Sequence, residues 1–305
     1  MYNIIIIGAG TAGMTAAIYA RRAGRTVLII EEKNYGGQII NTPEIENYPG
    51  IENVSGFEFA TNLYNQVKAL DAEFKFEKVL QVKDNGGKKT VITDKNEYMA
   101  DSVIIATGAK NRTLGIDREE EFIGAGVSYC ATCDGAFFRG KDVAVVGGGN
   151  TALEDAAFLA NYCNIVYLIH RRDTFRGESR LVDVLKTKKN VKFILDSVVD
   201  DILGDDSVIG IIVRNVKSEQ KMTLDIKGLF IAAGQIPDNG YFSDVVNLDE
   251  KGYISADETC RTDTKGVFTA GDCRTKQIRQ LTTAASDGAV AALAACSFID
   301  EKNTK

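Results

Sequence analysis

Two cysteines with the spacing of a redox pair stand at Cys130 and Cys133, and Asp134 follows them directly. A zinc site needs about four ligands, and the chain has no second Cys-x-x-Cys and only one His. Two buried, reduced cysteines without a role are a second alternative, because free Cys packs like a small hydrophobe. We favour a redox dithiol, since this spacing brings two sulfurs within bonding reach and favours a thiolate. Asp134 is then an acid able to protonate a departing thiolate, or otherwise a helix-capping residue.

A glycine-rich turn opens the chain and predicts a dinucleotide site. The unit consists of an apolar strand at 2–7, glycines at 8, 10 and 13, a helix at 14–22, a strand at 26–30 and an acid at 31. The glycines permit a tight turn and close approach to a pyrophosphate, which the helix N-terminus stabilises, while the acid accepts from a ribose hydroxyl. The expected contacts are Gly8, Gly10, Thr11, Ala12, Gly13, Glu31 and Glu32.

The same pattern returns 139 positions later, from Gly8 to Gly147. It comprises a strand at 142–146, a turn at 147–152, a helix at 152–159 and a strand at 165–169. The first copy of the pattern ends in two acids, whereas the second copy ends in a basic cluster suited to a 2′-phosphate. The expected contacts are Gly147, Gly149, Asn150, Thr151, Ala152, His170, Arg171, Arg172 and Arg176.

The two dinucleotide sites differ in charge, since the first ends in acids and the second in basic residues. This difference predicts FAD in the first site and NADPH in the second. Strands that end in small residues at 102–108 and 267–272, the glycines at 36–37 and a small-residue helix at 283–295 are expected to surround the flavin. The further FAD contacts predicted from these segments are Gly37, Gln38, Asn47, Ala106, Thr107, Gly108, Gly271, Asp272, Arg279, Gln280 and Leu281.

Length and composition limit the other functions. The 305 residues suggest about two domains. A net charge of −6 argues against a general nucleic-acid or anionic-membrane binder. The single His nearly excludes Ser–His hydrolysis and multi-His metal sites, so we expect no metal. No apolar run approaches the ~18 residues of a membrane span and no secretory signal is visible, so we expect a cytoplasmic protein without a membrane partner.

These motifs together resemble the low-molecular-weight bacterial thioredoxin reductases. The resemblance rests on Cys-Ala-Thr-Cys-Asp-Gly between two nucleotide turns, on His-Arg-Arg-Asp-Thr-Phe-Arg at 170–176 and on Ala-Gly-Asp at 270–272. It implies an α/β protein with two Rossmann-like domains, the second inserted into the first. It also implies a discontinuous FAD domain at 1–112 and 241–305, an NADPH domain with the dithiol at 113–240, and a homodimer. Thr11 replaces the family's Pro in the first turn, and Gln235-Ile236-Pro237-Asp238 departs from the more usual His-x-Pro-Asn.

The resemblance also implies a reaction. Hydride passes from NADPH to FAD, electrons pass to the Cys130–Cys133 disulfide, and the dithiol exchanges with an oxidised thioredoxin or thioredoxin-like protein. By the same resemblance Cys133 lies nearer the flavin and Asp134 is the acid, whereas the sulfur that first attacks thioredoxin is left open. The alternatives are a dithiol oxidase of the same fold, a ferredoxin-fed thioredoxin reductase, and a non-enzymatic nucleotide sensor with a structural Cys-x-x-Cys.

Overall fold

The computed structural model describes residues 1–42 and 44–304. One compact unit contains residues 1–110 together with the chain from 236 onward, and a second contains residues 111–235. We call them the first and the second unit. Each holds a sheet with a parallel core that helices flank, with two antiparallel strand pairs at one edge in the first unit, and the second unit is inserted into the first in sequence. The predicted α/β class with one Rossmann-like domain inserted into another is confirmed.

The regular elements run as follows. The strands are β1 (Tyr2–Ile7), β2 (Val27–Glu31), β3 (Glu73–Phe76), β4 (Val79–Asp84), β5 (Lys89–Thr93), β6 (Glu97–Ile105), β7 (Lys110–Asn111), β8 (Val127–Ser128), β9 (Val143–Val146), β10 (Val166–Ile169), β11 (Val191–Ile194), β12 (Ser197–Gly204), β13 (Val208–Asn215), β14 (Lys221–Leu224), β15 (Gly228–Ile231), β16 (Gln235–Ile236) and β17 (Val267–Thr269). The α-helices are α1 (Thr11–Arg22), α2 (Gly56–Ala69), α3 (Ala131–Asp134), α4 (Asn150–Leu159), α5 (Ser179–Thr187) and α6 (Leu281–Asn303). Short 3-10 helices cover Gly37–Asn41, Gly135–Phe138, Gly240–Phe242 and Gly271–Cys273.

The sheet of the first unit has the strand order β3-β2-β1-β6-β5-β4, and β17 also pairs with β6. The four Ile residues at 4–7 of β1 are fully apolar because this part of a parallel strand is buried on both faces. Ile7 pairs with Ile105, and Ile105 pairs with Thr269. The carboxyl ends of β1, β6 and β17 therefore meet at one edge of the sheet, so the turns that follow them are brought together.

Helix α6 packs on α1 through small residues. A Cβ added to Gly288 would lie 2.2 Å from the backbone oxygen of Ala12, so only glycine allows this contact. The sequence predicts the helix at 283–295, but it continues to Asn303 because Ile299 also reaches the core. By length and mean hydropathy α6 could cross a membrane, which the sequence analysis did not expect. Its contacts with α1 are those of a core helix, and the core helix of a folded domain can have the same length and mean hydropathy as a membrane span.

The second unit has a parallel sheet with the order β11-β10-β9-β15-β8. Val146 of β9 pairs with Ile169 and Ile231 on its two sides, so β9 lies inside the sheet with apolar residues throughout. Strands β12, β13 and β14 form a separate antiparallel sheet. The cysteine pair stands immediately after the edge strand β8.

Candidate active site

The turn after β1 is closely packed at Gly8 and Gly13 and open at Gly10. Gly8 has φ +106°, and a Cβ there would lie 2.3 Å from the backbone oxygen of Ala106, so this position requires glycine. A Cβ on Gly13 would lie 2.0 Å from the oxygen of Gly8. No atom of the described residues lies within 4 Å of a Cβ added to Gly10. The N-terminus of α1 therefore faces open space that a phosphate could fill.

The acid at the end of β2 is fixed by this turn. Glu31 Oε2 accepts a hydrogen bond from the backbone N–H of Ala9 at 2.8 Å, and Oε1 accepts from that of Lys33 at 3.0 Å. Its carboxylate is half-buried. Glu32 is exposed and pairs with Lys78 at 3.5 Å. Glu31 is thus the oriented acceptor beside the turn, while Glu32 lies at the surface.

A second glycine segment lies against the first turn. Gly36 forms an isolated bridge with Gly10, and a Cβ on Gly37 would lie 3.3 Å from the Cα of Gly10. The Gln38 side chain donates a hydrogen bond to the backbone oxygen of Ala109. The segment 36–38 therefore joins the turn after β1 to the turn after β6.

The turn after β17 carries an acceptor without a partner. Gly271 has φ +80°, and a Cβ there would lie 2.8 Å from the Cβ of Ala12 at the start of α1. Asp272 Oδ1 is buried and has no hydrogen-bond partner within the described residues. Burial raises the pKa of Asp272. A buried polar atom of this kind is destabilising unless a donor reaches it.

Asp287 on α6 holds this turn in place, and the sequence analysis missed it. Its carboxylate accepts from the Gly271 N–H at 2.9 Å, from Arg274 Nη2 at 2.8 Å and from Lys276 Nζ at 2.9 Å. Burial is the largest single effect on Asp287 and raises its pKa, but the hydrogen bonds and charges of Arg274 and Lys276 together outweigh it and lower the pKa. The one acid within the small-residue segment 283–295 was the available signal, because a buried acid needs cationic or hydrogen-bonding partners.

Asn239 is a second residue that the sequence analysis missed. Its side-chain Nδ2 donates to the backbone oxygens of Cys273 at 2.8 Å and Gly252 at 2.9 Å. Its Oδ1 accepts from the Thr107 hydroxyl at 3.2 Å. This buried amide therefore ties the turn after β6 to the turn after β17. No local pattern marks it, since every partner is distant in sequence.

The remaining predicted FAD contacts lie around the start of α6 and the turn after β6. The Arg279 guanidinium stacks on the ring of Tyr253 at 4.2 Å. Asn47 Nδ2 donates to Gln280 Oε1 at 3.4 Å, and Leu281 opens α6. The predicted contacts that follow β1, β6 and β17, and so lie at one sheet edge, are Gly8, Gly10, Thr11, Ala12, Gly13, Ala106, Thr107, Gly108, Gly271 and Asp272.

The turn after β9 repeats the geometry of the first. A Cβ on Gly147 would lie 2.6 Å from the Cβ of Ala152, whereas in the part of the chain that the structure describes no atom lies within 4 Å of one on Gly149. Asn150 and Thr151 are exposed and begin α4. The second unit therefore presents another helix N-terminus to open space.

The basic cluster beyond β10 separates into a buried ring and exposed cations. A Cβ on Gly148 would lie 2.1 Å from His170 Cε1, so this ring lies directly beneath the glycine turn. His170 Nε2 is 3.1 Å from the backbone oxygen of Thr174. Burial lowers the pKa of His170, which keeps it neutral at pH 7. The exposed members of the cluster are Arg171, Arg172 and Arg176.

Cys130 and Cys133 form a disulfide, with their Cα atoms 5.3 Å apart. Cys130 is the N-cap residue of α3, and Thr132 between the two cysteines is exposed. Both cysteines are half-buried. A bonded pair with partial access to solvent has the geometry that thiol–disulfide exchange requires.

The acid beside the disulfide is held by a serine that the sequence analysis did not single out. Ser128 Oγ donates to Asp134 Oδ2 at 2.6 Å and accepts from the backbone N–H of Cys130 at 3.1 Å. Asp134 Oδ1 is buried without a partner in the described part of the chain. Burial raises the pKa of Asp134, and the Ser128 hydrogen bond opposes the rise. Asp134 therefore retains a proton more readily than an exposed Asp.

The other four cysteines are buried thiols. Burial raises the pKa of Cys163 to about 11 and that of Cys260 to about 12. It also raises the pKa of Cys273 and of Cys296. All four are therefore protonated at neutral pH, and a protonated thiol is a poor nucleophile. The thiol chemistry of this chain belongs to the Cys130–Cys133 pair.

Two nucleotide turns and a redox-active disulfide on one chain define a class of protein. Residues 2–288 match the pyridine nucleotide-disulphide oxidoreductase family, and the chain belongs to that family.

Individual relatives narrow the class of protein further. The chain is 42% identical over 301 residues to a 34.2 kDa protein of the rubredoxin operon of Clostridium pasteurianum, covering 98% of each. It is 41% identical over 302 residues to the thioredoxin reductase of Listeria monocytogenes, covering 99% of this chain and 95% of the relative. The crystal structure of the Streptococcus pyogenes thioredoxin reductase superposes with a TM-score of 0.95 at 43% identity, over 99% of both chains. Within that family the chain belongs with the thioredoxin reductases, which confirms the resemblance seen in the sequence.

Proposed function

We propose that this protein uses NADPH to reduce the disulfide of a thioredoxin, through FAD and the Cys130–Cys133 dithiol. The observation that carries the proposal is the half-buried Cys130–Cys133 disulfide in a chain with two open glycine turns. Whole-length similarity to thioredoxin reductases supports the choice of substrate.

The residues of the first unit fit a flavin dinucleotide. The open side of Gly10 leaves room for a pyrophosphate, and Glu31 is an oriented acceptor for a ribose hydroxyl. The orphaned Asp272 Oδ1 would accept from a hydroxyl of the bound cofactor. A flavin held there supplies the two-electron chemistry that links a nicotinamide to a disulfide.

The second unit fits NADPH as the electron-donating substrate. The open side of Gly149 at the start of α4 has the geometry of a pyrophosphate site. The exposed Arg171, Arg172 and Arg176 supply the donors that a 2′-phosphate needs. His170 lies under the turn, so we assign it to shaping the site rather than to binding the phosphate.

The dithiol then carries the electrons to thioredoxin. Two electrons and two protons convert the Cys130–Cys133 disulfide into two thiols. One thiolate attacks the thioredoxin disulfide to form a mixed disulfide. The second sulfur closes the Cys130–Cys133 bond and releases thioredoxin with two thiols. Asp134, whose pKa is raised by burial and whose carboxyl group is held by Ser128, donates the proton that the departing thiolate takes up.

Replacing Asp134 by Asn tests this role, with an expected fall of about 10²-fold in turnover because an amide cannot deliver a proton. The activity of the natural enzyme should fall as pH rises through the raised pKa of Asp134, whereas the variant should lack this pH dependence.

A carboxyl group whose pKa is higher in the folded than in the unfolded protein stabilises the fold at pH values below its unfolded pKa. That stability is lost as pH rises through its folded pKa. Asn should therefore raise the Tm relative to the natural protein at pH 8 but not at pH 4. Unchanged turnover from pH 6 to 9 would make Asp134 a structural residue.

An anaerobic titration tests the proposal as a whole. The purified protein should be yellow, NADPH should bleach its flavin absorbance, and an added oxidised thioredoxin should restore it. A protein that takes up no FAD would contradict the assignment of the first unit.

The same titration separates the alternatives. A dithiol oxidase would need oxygen, and a ferredoxin-fed enzyme would respond to reduced ferredoxin rather than to NADPH. The three exposed arginines of the loop that follows β10 favour NADPH over both. The homodimer and the cytoplasmic location remain predictions, which sedimentation and cell fractionation would test.

A further inference from the structure

The segment after the basic cluster folds back onto the second glycine turn. We call residues 171–178 the arginine loop. The backbone N–H groups of Arg176 and Gly177 both donate to the oxygen of Gly148, at 2.8 and 3.1 Å. A Cβ on Gly177 would lie 2.5 Å from Leu153 Cδ1 on α4. The loop is therefore in close contact with the turn and helix that would hold the pyrophosphate.

A reciprocal side-chain pair closes the far end of this contact. Asn150 Oδ1 accepts from the backbone N–H of Glu178 at 2.8 Å, and Asn150 Nδ2 donates to Glu178 Oε1 at 3.0 Å. Asn150 is the first residue of α4, and Glu178 is the N-cap residue of α5. Glu178 thus joins the starts of two helices that are 28 residues apart in sequence.

We propose that Glu178 is a positioning residue for nicotinamide specificity, and this inference rests on the proposed use of NADPH. A dinucleotide with a 2′-phosphate has to reach the glycine turn and the arginines together. Its binding therefore depends on the distance between them, which the Asn150–Glu178 pair fixes. NADH lacks the 2′-phosphate and depends on the glycine turn alone. Holding the arginine loop in place before binding reduces the ordering that NADPH binding would otherwise require.

Charge and position act in opposite directions at Glu178, which makes the proposal testable. The carboxylate follows Arg176 by two residues and opposes binding of an anionic phosphate. If only its charge mattered, removing it would strengthen NADPH binding whatever replaced it. If its position matters, a neutral side chain that still accepts from Asn150 should behave differently from one that cannot.

Two substitutions separate these effects. Glu178→Gln removes the charge and keeps an acceptor for Asn150 Nδ2, so we expect a preference for NADPH over NADH at least equal to that of the natural enzyme. Glu178→Ala removes both, and the preference should fall about three- to tenfold, or about 0.7–1.4 kcal/mol at ~1.4 kcal/mol per tenfold. The loss should appear in the KM for NADPH and not in kcat. Asp183→Ala, which removes an exposed acid of α5, is the matched control and should change nothing.

A binding measurement without turnover gives the second readout. Calorimetric titration with 2′,5′-ADP should show the same three- to tenfold loss in Glu178→Ala, whereas 5′-AMP should bind both proteins equally. Equal effects of Ala and Gln, in either direction, would overturn the proposal. A natural enzyme that uses NADPH and NADH equally would instead contradict the proposed function. A clear natural preference that Glu178→Ala retains would contradict only the role of Glu178.

Discussion

Replacing either Cys130 or Cys133 by Ser is expected to abolish thioredoxin reduction, by at least about 10³-fold, because each sulfur is needed for exchange. Bleaching of the flavin by NADPH should remain nearly intact, since neither sulfur takes part in that half-reaction. Stopped-flow absorbance with NADPH alone and steady-state assays with thioredoxin measure the two halves separately.

The buried thiols supply the control for this experiment. Cys296→Ala removes a buried cysteine of α6 and should leave both half-reactions unchanged, because burial keeps that thiol protonated. Thioredoxin reduction that persisted in either Ser variant would disprove the dithiol mechanism. Loss of flavin bleaching in the same variant would point instead to a damaged fold.

The second large effect concerns the choice of nicotinamide. Replacing Arg171 and Arg172 together by neutral residues should remove most of the preference for NADPH by raising its KM, with little change for NADH. Hydrogen bonds to charged groups contribute about 1.5–3 kcal/mol each, so two would give about 3–6 kcal/mol, or roughly 10²–10⁴-fold at ~1.4 kcal/mol per tenfold. Both side chains are exposed, which places the value at the low end.

A charge-matched control shows whether the effect is local. Arg180 and Lys189 are also exposed cations of the second unit, and replacing both removes the same two charges. This variant should keep the preference for NADPH. If the natural enzyme uses the two nicotinamides within about threefold of each other, or if both double variants lose the preference alike, the arginines are only a solvated basic surface.

Local signals predicted most of the elements that form the glycine turns. The structure confirms the strands and helices around both turns, with shifts of up to three residues, because each strand–turn–helix unit is encoded within about 30 residues. The antiparallel strands β12 to β14 were not predicted, although each pairs with its neighbour in sequence across a short loop. Asp287 and Asn239 were missed because their partners belong to other elements of the chain.

The basic cluster shows where sequence reasoning reaches its limit. The sequence analysis grouped His170 with the arginines because of its position in the turn motif. In the structure the ring lies beneath Gly148, and its Nε2 faces a carbonyl of its own loop. Four basic side chains within the seven positions 170–176 look alike in sequence, whereas packing decides which of them reach solvent.

The burial of four of the six cysteines has a practical consequence for chemical biology. In its reduced form the native enzyme should present only two thiols to a water-soluble alkylating reagent, and all six only after denaturation. A maleimide dye or a cross-linking probe would therefore label the Cys130–Cys133 pair in the natural sequence, without a cysteine-depleted background. The same selectivity implies that hydrogen peroxide would oxidise this pair first and leave the four buried sulfurs untouched as long as the fold holds.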